Sequence, residues 1–125
     1  MKIYRPLFLL VAFAGVVLAL ALQLQPGKPH TGVGFFFWDY WLDTLKHFLG
    51  FVLIGFAYYL GVTGRLRATF AEYVRTVWPI ALFGLGAELL QIWVPHRTCN
   101  FFDLLANSGG AFAGYLLLRA LFRKE

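Results

Sequence analysis

The chain has 125 residues, is 60% hydrophobic and 14% charged, and carries a formal net charge of +5. Ordinary globular domains are roughly 45–50% apolar and about 25% charged, so intrinsic disorder is excluded. A soluble fold is disfavoured as well, because so short a chain has too little interior for this much apolar surface. The basic residues are scattered between apolar stretches rather than gathered on one segment. That pattern points to membrane topology and away from nucleic acid. Cys99 is the one cysteine, so neither an internal disulfide nor a zinc-type cysteine spacing is available.

Four stretches suit the roughly 20-residue spans that a hydrocarbon core of about 30 Å demands. The first, 7–24, is uncharged and follows Pro6, at a position a helix tolerates in its first turn. Lys2, Arg5 and the Ala19-Leu20-Ala21 triplet give it the look of a secretory signal. Its apolar run is longer than such signals carry, and a retained span is expected. The second stretch, 43–62, confines its charges to the first turn or so. The third, 77–94, carries Glu88 and Gln91, and the fourth, 103–121, opens on Asp103 and holds Asn107. The expectation is all-α: a polytopic membrane bundle of four transmembrane helices, one domain over 1–125.

Charge orients the bundle. Lys2, Arg5, Arg65, Arg67, Arg75, Arg119, Arg123 and Lys124 fall on one side, against Lys28, Lys46 and Arg97 on the other. The positive-inside rule then predicts N-in and C-in. In the 63–76 loop, Leu66, Phe70, Tyr73 and Val77 recur at helical spacing, which predicts a basic amphipathic stretch lying on anionic lipid. On the outer side, Phe35, Phe36, Phe37, Trp38, Tyr40 and Trp41 predict an interfacial aromatic belt.

Polar residues gather on the outer half. Asp43, His47, Gly50, Ile54 and Gly61 form a stripe on the second span. Ala81, Gly84, Glu88, Gln91 and Pro95 do so on the third, and Asp103, Asn107, Gly110 and Gly114 on the fourth. Small residues let helix backbones approach closely in lipid, so each polar pair is expected to face the bundle interior. A charge at the depth of Glu88 costs about 2.5–3.5 kcal/mol on insertion scales unless paired or hydrated. Converging polar faces would offset that cost by forming one outward-facing pocket. Plainer roles compete: Asp43 and Asp103 as helix caps, Glu88 as a structural partner of Arg97, and Gln91 and Asn107 as interhelical glue.

The run Asp43-Thr44-Leu45-Lys46-His47-Phe48 resembles the D-x-x-x-H opening of the VanZ-like membrane proteins. Glu88-Leu89-Leu90-Gln91 is similar to that family's E-x-x-Q, and Pro95-His96-Arg97-Thr98 to its P-x-R-(T/S). Asp103-Leu104-Leu105-Ala106-Asn107 matches D-x-x-x-N, with Gly110 and Gly114 where the family has glycines. His96 replaces a usual glycine, Thr44 a common lysine and Asn100 a frequent serine. The family takes its name from a protein that gives low-level resistance to teicoplanin, a glycopeptide aimed at cell-wall precursors. The resemblance implies an envelope role at the outer face of a bacterial cytoplasmic membrane, without a defined reaction.

The expected ligand is therefore a membrane lipid or lipid-linked cell-wall precursor bearing an anionic group. Asp43, His47, Glu88, Gln91, Arg97, Asp103 and Asn107 are the candidate binding set. Arg97 is the expected clamp, since its planar fork suits phosphate or carboxylate. Glu88, His47, Asp43 and Asp103 are the candidates for acid–base work, because burial and mutual repulsion raise a carboxyl pKa and histidine titrates near neutrality. A proton- or ion-coupled carrier relaying through Glu88, or a purely structural subunit, are the alternatives. Three carboxylates and a histidine offer ligands to a divalent cation, but Arg97 opposes one, and neither metal nor cofactor is expected.

Overall fold

The computed structural model describes residues 3–25, 37–95 and 101–123, the side chains of 37–41 excepted. Arg97, Phe35 and Phe36 therefore lie outside the described residues, as do Lys2, Lys28, His96, Thr98, Cys99, Asn100 and Lys124; the other members of the aromatic belt, Phe37, Trp38, Tyr40 and Trp41, are described as backbone of the first α2 turns. Four helices follow one another: α1 (Arg5–Gln23), α2 (Phe37–Thr63), α3 (Phe70–Leu90), continued by a 3₁₀ turn (Gln91–Trp93), and α4 (Phe101–Leu121). All four contain a segment long and apolar enough to cross a membrane. No strand occurs among the described residues.

The helices run up and down in turn, and side chains tie their ends together. Arg5, at the start of α1, donates from Nε to the Gly61 carbonyl (3.1 Å) and from Nη2 to that of Val62 (2.6 Å). It thereby satisfies orphan carbonyls at the negative end of α2. Gly64 closes that end in the left-handed region at φ 65°, where a glycine carries no steric penalty. At the other end of α1, the Gln91 Nε2 donates to the Gln23 carbonyl (3.1 Å). The end holding the start of α1, the last turn of α4 and the 64–69 loop is the basic end, and the opposite one the polar end.

Two helix starts differ from the sequence expectation. The α2 helix begins at Phe37, so Asp43 lies well inside it and is no helix cap. The α3 helix begins at Phe70, where Thr69 and Glu72 form a reciprocal capping box. Tyr73 and Val77 are 0% exposed whereas Phe70 is 55% exposed, so of the amphipathic stretch expected on the lipid surface Tyr73 and Val77 instead form the inward face of the first α3 turns.

The core is built on α2, which packs against α1, α3 and α4. Phe51, Ile54, Tyr59, Leu60, Tyr73, Val77, Ala111 and Leu118 lie within it. The α2–α4 seam is close because glycines line it. A Cβ at Gly110 would run into the Phe48 carbonyl, one at Gly114 into the Tyr73 hydroxyl and the Val52 carbonyl, and one at Gly55 into the Ala111 carbonyl. Gly50, expected on the same stripe, has open space where its Cβ would be; Gly55 holds the seam instead. Leu10, Phe13, Leu53, Trp78, Leu82 and Leu116 face outward and are well exposed, the surface that lipid covers in a membrane bundle.

Candidate functional site

The polar end is organised around His47 on α2. Its Nδ1 lies 3.0 Å from Oδ1 of Asn107 on α4. Asn107 in turn donates from Nδ2 to the Gly84 carbonyl of α3 (3.1 Å). A carbonyl only accepts, so the amide nitrogen must face Gly84 and its oxygen must face the histidine. Nδ1 of His47 therefore carries the hydrogen. Nε2 is left facing the Asp43 Oδ2, one helical turn earlier on α2, at 3.6 Å. Asn107 is 0% exposed, whereas the Asp43 side chain is 53% exposed and that of His47 11%. The three form a short chain from the surface carboxylate through the imidazole to a buried amide.

A second link lies beside the first. Thr44 Oγ1 donates to Asp103 Oδ1 at 2.7 Å, again joining α2 to α4. Asp103 sits in the first turn of α4, where the positive end of the helix dipole favours a carboxylate. Glu88 lies one turn beyond Gly84 on the same inward face of α3 and is 0% exposed; Gln91, 2% exposed, begins the 3₁₀ turn. Gly84 and Asn107 are themselves in close contact, a Cβ on the glycine meeting Asn107 Cβ.

Of the seven residues singled out for binding, the structure joins Asp43, His47 and Asn107 in one chain and places Asp103 beside them through Thr44. Glu88 and Gln91 are buried at the same end of α3. Arg97 lies outside the described residues. Sequence reading missed Thr44, although it stands three residues before His47 and so shares its helix face. It also missed Gln23, 5% exposed, whose carbonyl anchors Gln91. Nothing in a pattern of hydropathy marks a backbone carbonyl as a partner.

Asp43, His47 and Asp103 bring ligating atoms within 4.8 Å of one another. These are oxygen and nitrogen donors of the kind a divalent cation takes. In the hydrogen-bonded arrangement, Asp103 Oδ1 is engaged by Thr44 and His47 Nδ1 by Asn107. His47 Nε2 is the nitrogen that can exchange a proton.

Four membrane-length helices, with the buried polar side chains among the described residues at one end, define a small polytopic membrane protein. The chain belongs to the VanZ/LLP1 family, whose model matches residues 5–123. No curated protein and no solved structure matches it.

Proposed function

We propose that the polar end binds a lipid-linked or cell-wall-related anionic group at the outer face of a bacterial cytoplasmic membrane, in a role in envelope integrity of the kind that glycopeptide resistance reflects. The observation that carries this reading is one-sidedness. Gln23, Glu88, Gln91, Asp103 and Asn107 are the buried polar side chains among the described residues, and all five lie at the polar end. The other half of the bundle is filled by Tyr59, Leu60, Tyr73, Val77 and Leu118. A carrier that relays ions through Glu88 would need polar side chains along that half as well.

Intramembrane ionisable residues are costly and mark function. Here Asp43, His47 and Asp103, from α2 and α4, lie together at one end, and the histidine is tied through Asn107 to the Gly84 carbonyl of α3 and faces the half-exposed Asp43. In this reading Arg97, six residues before Asp103 in the sequence, supplies the bidentate clamp for the anion. His47 is assigned any proton transfer, with Nε2 as the exchanging atom and Asn107 and Asp43 holding the ring. Asp103 lies beside it, and Glu88 is buried at the same end on α3.

The test is mass spectrometry of lipids that co-purify with the protein from bacterial membranes. Wild type is expected to enrich a lipid-linked phosphate relative to bulk membrane, and Arg97→Ala and His47→Ala to lose that enrichment while remaining folded. Wild type carrying only bulk phospholipids would defeat the proposal.

A further inference from the structure

At the basic end, the 64–69 loop and the last turns of α4 enclose a groove of about 290 Å³. Its apolar wall is Leu66, Leu118 and Phe122; its charged wall is Arg67, Arg119 and Arg123. We propose that this groove binds the phosphate headgroup of an anionic membrane phospholipid, independently of the polar end.

Three observations carry it. The first is charge without compensation. Among the described residues no carboxylate pairs with Arg67, Arg119 or Arg123. Glu72, the one described carboxylate side chain at this end, is engaged by the Thr69 amide at 2.9 Å. Guanidinium groups hold phosphate by fork geometry as well as by charge.

The second is that tyrosines position this wall. The Tyr59 hydroxyl donates to the Arg67 carbonyl at 3.2 Å and so pins the loop to α2. Arg119 donates to the Tyr115 hydroxyl at 3.4 Å, with its guanidinium 5.9 Å from the centre of that ring. Tyr115 and Tyr59 both pack against Tyr73 with tilted rings, at 5.7 and 5.0 Å between ring centres. Tyr73 is fixed by its hydrogen bond to the Ala111 carbonyl. The Arg119 guanidinium and the backbone that carries Arg67 are thus held on one aromatic base, which lowers the ordering cost of binding.

The third is shape. Small-molecule sites occupy about 300–1,000 Å³, so this volume suits a headgroup rather than a whole lipid. Leu66, Leu118 and Phe122 form an apolar wall beside the charges, which suits the glycerol and the first acyl carbons. The groove lies at the end of membrane-length helices, where phospholipid headgroups are the abundant anions.

The experiment is native mass spectrometry of protein extracted from mixed vesicles of phosphatidylcholine with a minority of phosphatidylglycerol, the anionic lipid that basic surfaces attract. Wild type is expected to retain one phosphatidylglycerol. Arg67→Gln with Arg119→Gln and Arg123→Gln is expected to lower that retention at least tenfold. Arg65→Gln with Arg75→Gln, which removes charge from the same end outside the groove, is expected to leave it unchanged. Equal retention by the triple variant overturns the proposal, and so does equal loss in the control pair, which would mean surface charge alone. A wild-type measurement guards against a triple variant that fails to fold. Short-chain phosphatidylglycerol should raise the melting temperature, whereas short-chain phosphatidylcholine and inorganic phosphate should not. No shift, or an equal shift with phosphate, overturns the lipid assignment.

Discussion

His47 on α2 and Asn107 on α4 meet at 3.0 Å across sixty residues of sequence, and the same Asn107 amide reaches the Gly84 carbonyl of α3 at 3.1 Å. One buried side chain therefore ties three helices together and sets the tautomer of the histidine. Interhelical hydrogen bonds in membranes are worth about 0.6–2 kcal/mol each. Stranding a buried polar partner adds a further penalty of about 1–3 kcal/mol.

Asn107→Leu removes both bonds and leaves the Gly84 carbonyl and His47 Nδ1 facing an apolar side chain. Unfolding in detergent should show a loss of about 1–3 kcal/mol. Asn107→Gln, which keeps the amide but lengthens it into a close-packed seam, should recover only part of this. An Asn107→Leu variant as stable as wild type would show that the amide is not a tie between helices.

The glycines divide by what surrounds them. At Gly110 and Gly114 an added Cβ meets backbone carbonyls of α2, which cannot move aside as a flexible side chain can. Gly110→Ala and Gly114→Ala should each destabilise by about 1–3 kcal/mol through overpacking. Gly86 and Gly109 have open space at the same atom, so Gly86→Ala and Gly109→Ala should stabilise by about 0.5–1 kcal/mol through helix propensity. Melting temperatures of the four variants check both halves. Equal effects at all four would separate stability from the α2–α4 approach.

The spans were legible because burial in lipid demands a long apolar run, and such runs are local in sequence. The seam at Gly110 and Gly114 was legible for the same reason, since a four-residue spacing fixes a helix face. What escaped was contact at long range. The sequence pairs His47 with Asp43 one turn away, and that pair exists at 3.6 Å. The closer partner, Asn107, becomes visible only when α2 and α4 are docked. Tyr73 and Val77 show the converse failure: their periodicity is right, but whether a helix face meets lipid or another helix is decided by tertiary packing. Gly55 was overlooked because it lies beside the expected stripe, whereas the Ala111 carbonyl that needs its missing Cβ is on another helix.

Orientation is a separate prediction. The basic end carries Arg5, Arg65, Arg67, Arg75, Arg119 and Arg123 among the described residues, and the positive-inside rule places it in the cytoplasm. Reporters fused after Gly64 and at the C-terminus should both report cytoplasm. An external C-terminus would invert the assignment of the polar end to the outer face.

The roles of Arg97 and Glu88 can be separated by charge-conserving and charge-removing changes. A clamp for phosphate or carboxylate depends on fork geometry, so Arg97→Lys should fail nearly as badly as Arg97→Ala in an envelope phenotype such as glycopeptide tolerance. Glu88 is 0% exposed, and Glu88→Gln keeps its size while removing ionisation. That change should leave the bundle folded, with equal or higher melting temperature, since a buried charge is neutralised. It should abolish the phenotype if Glu88 transfers a proton and be nearly silent if Glu88 only accepts hydrogen bonds. A purely structural pair behaves differently. Arg97→Ala alone would then strand Glu88 and destabilise the fold by about 3–5 kcal/mol, and adding Glu88→Gln would restore it. Stability and phenotype measured on both singles and the double decide the matter, because rescue of phenotype by the double variant removes the clamp and leaves packing as the role of both residues.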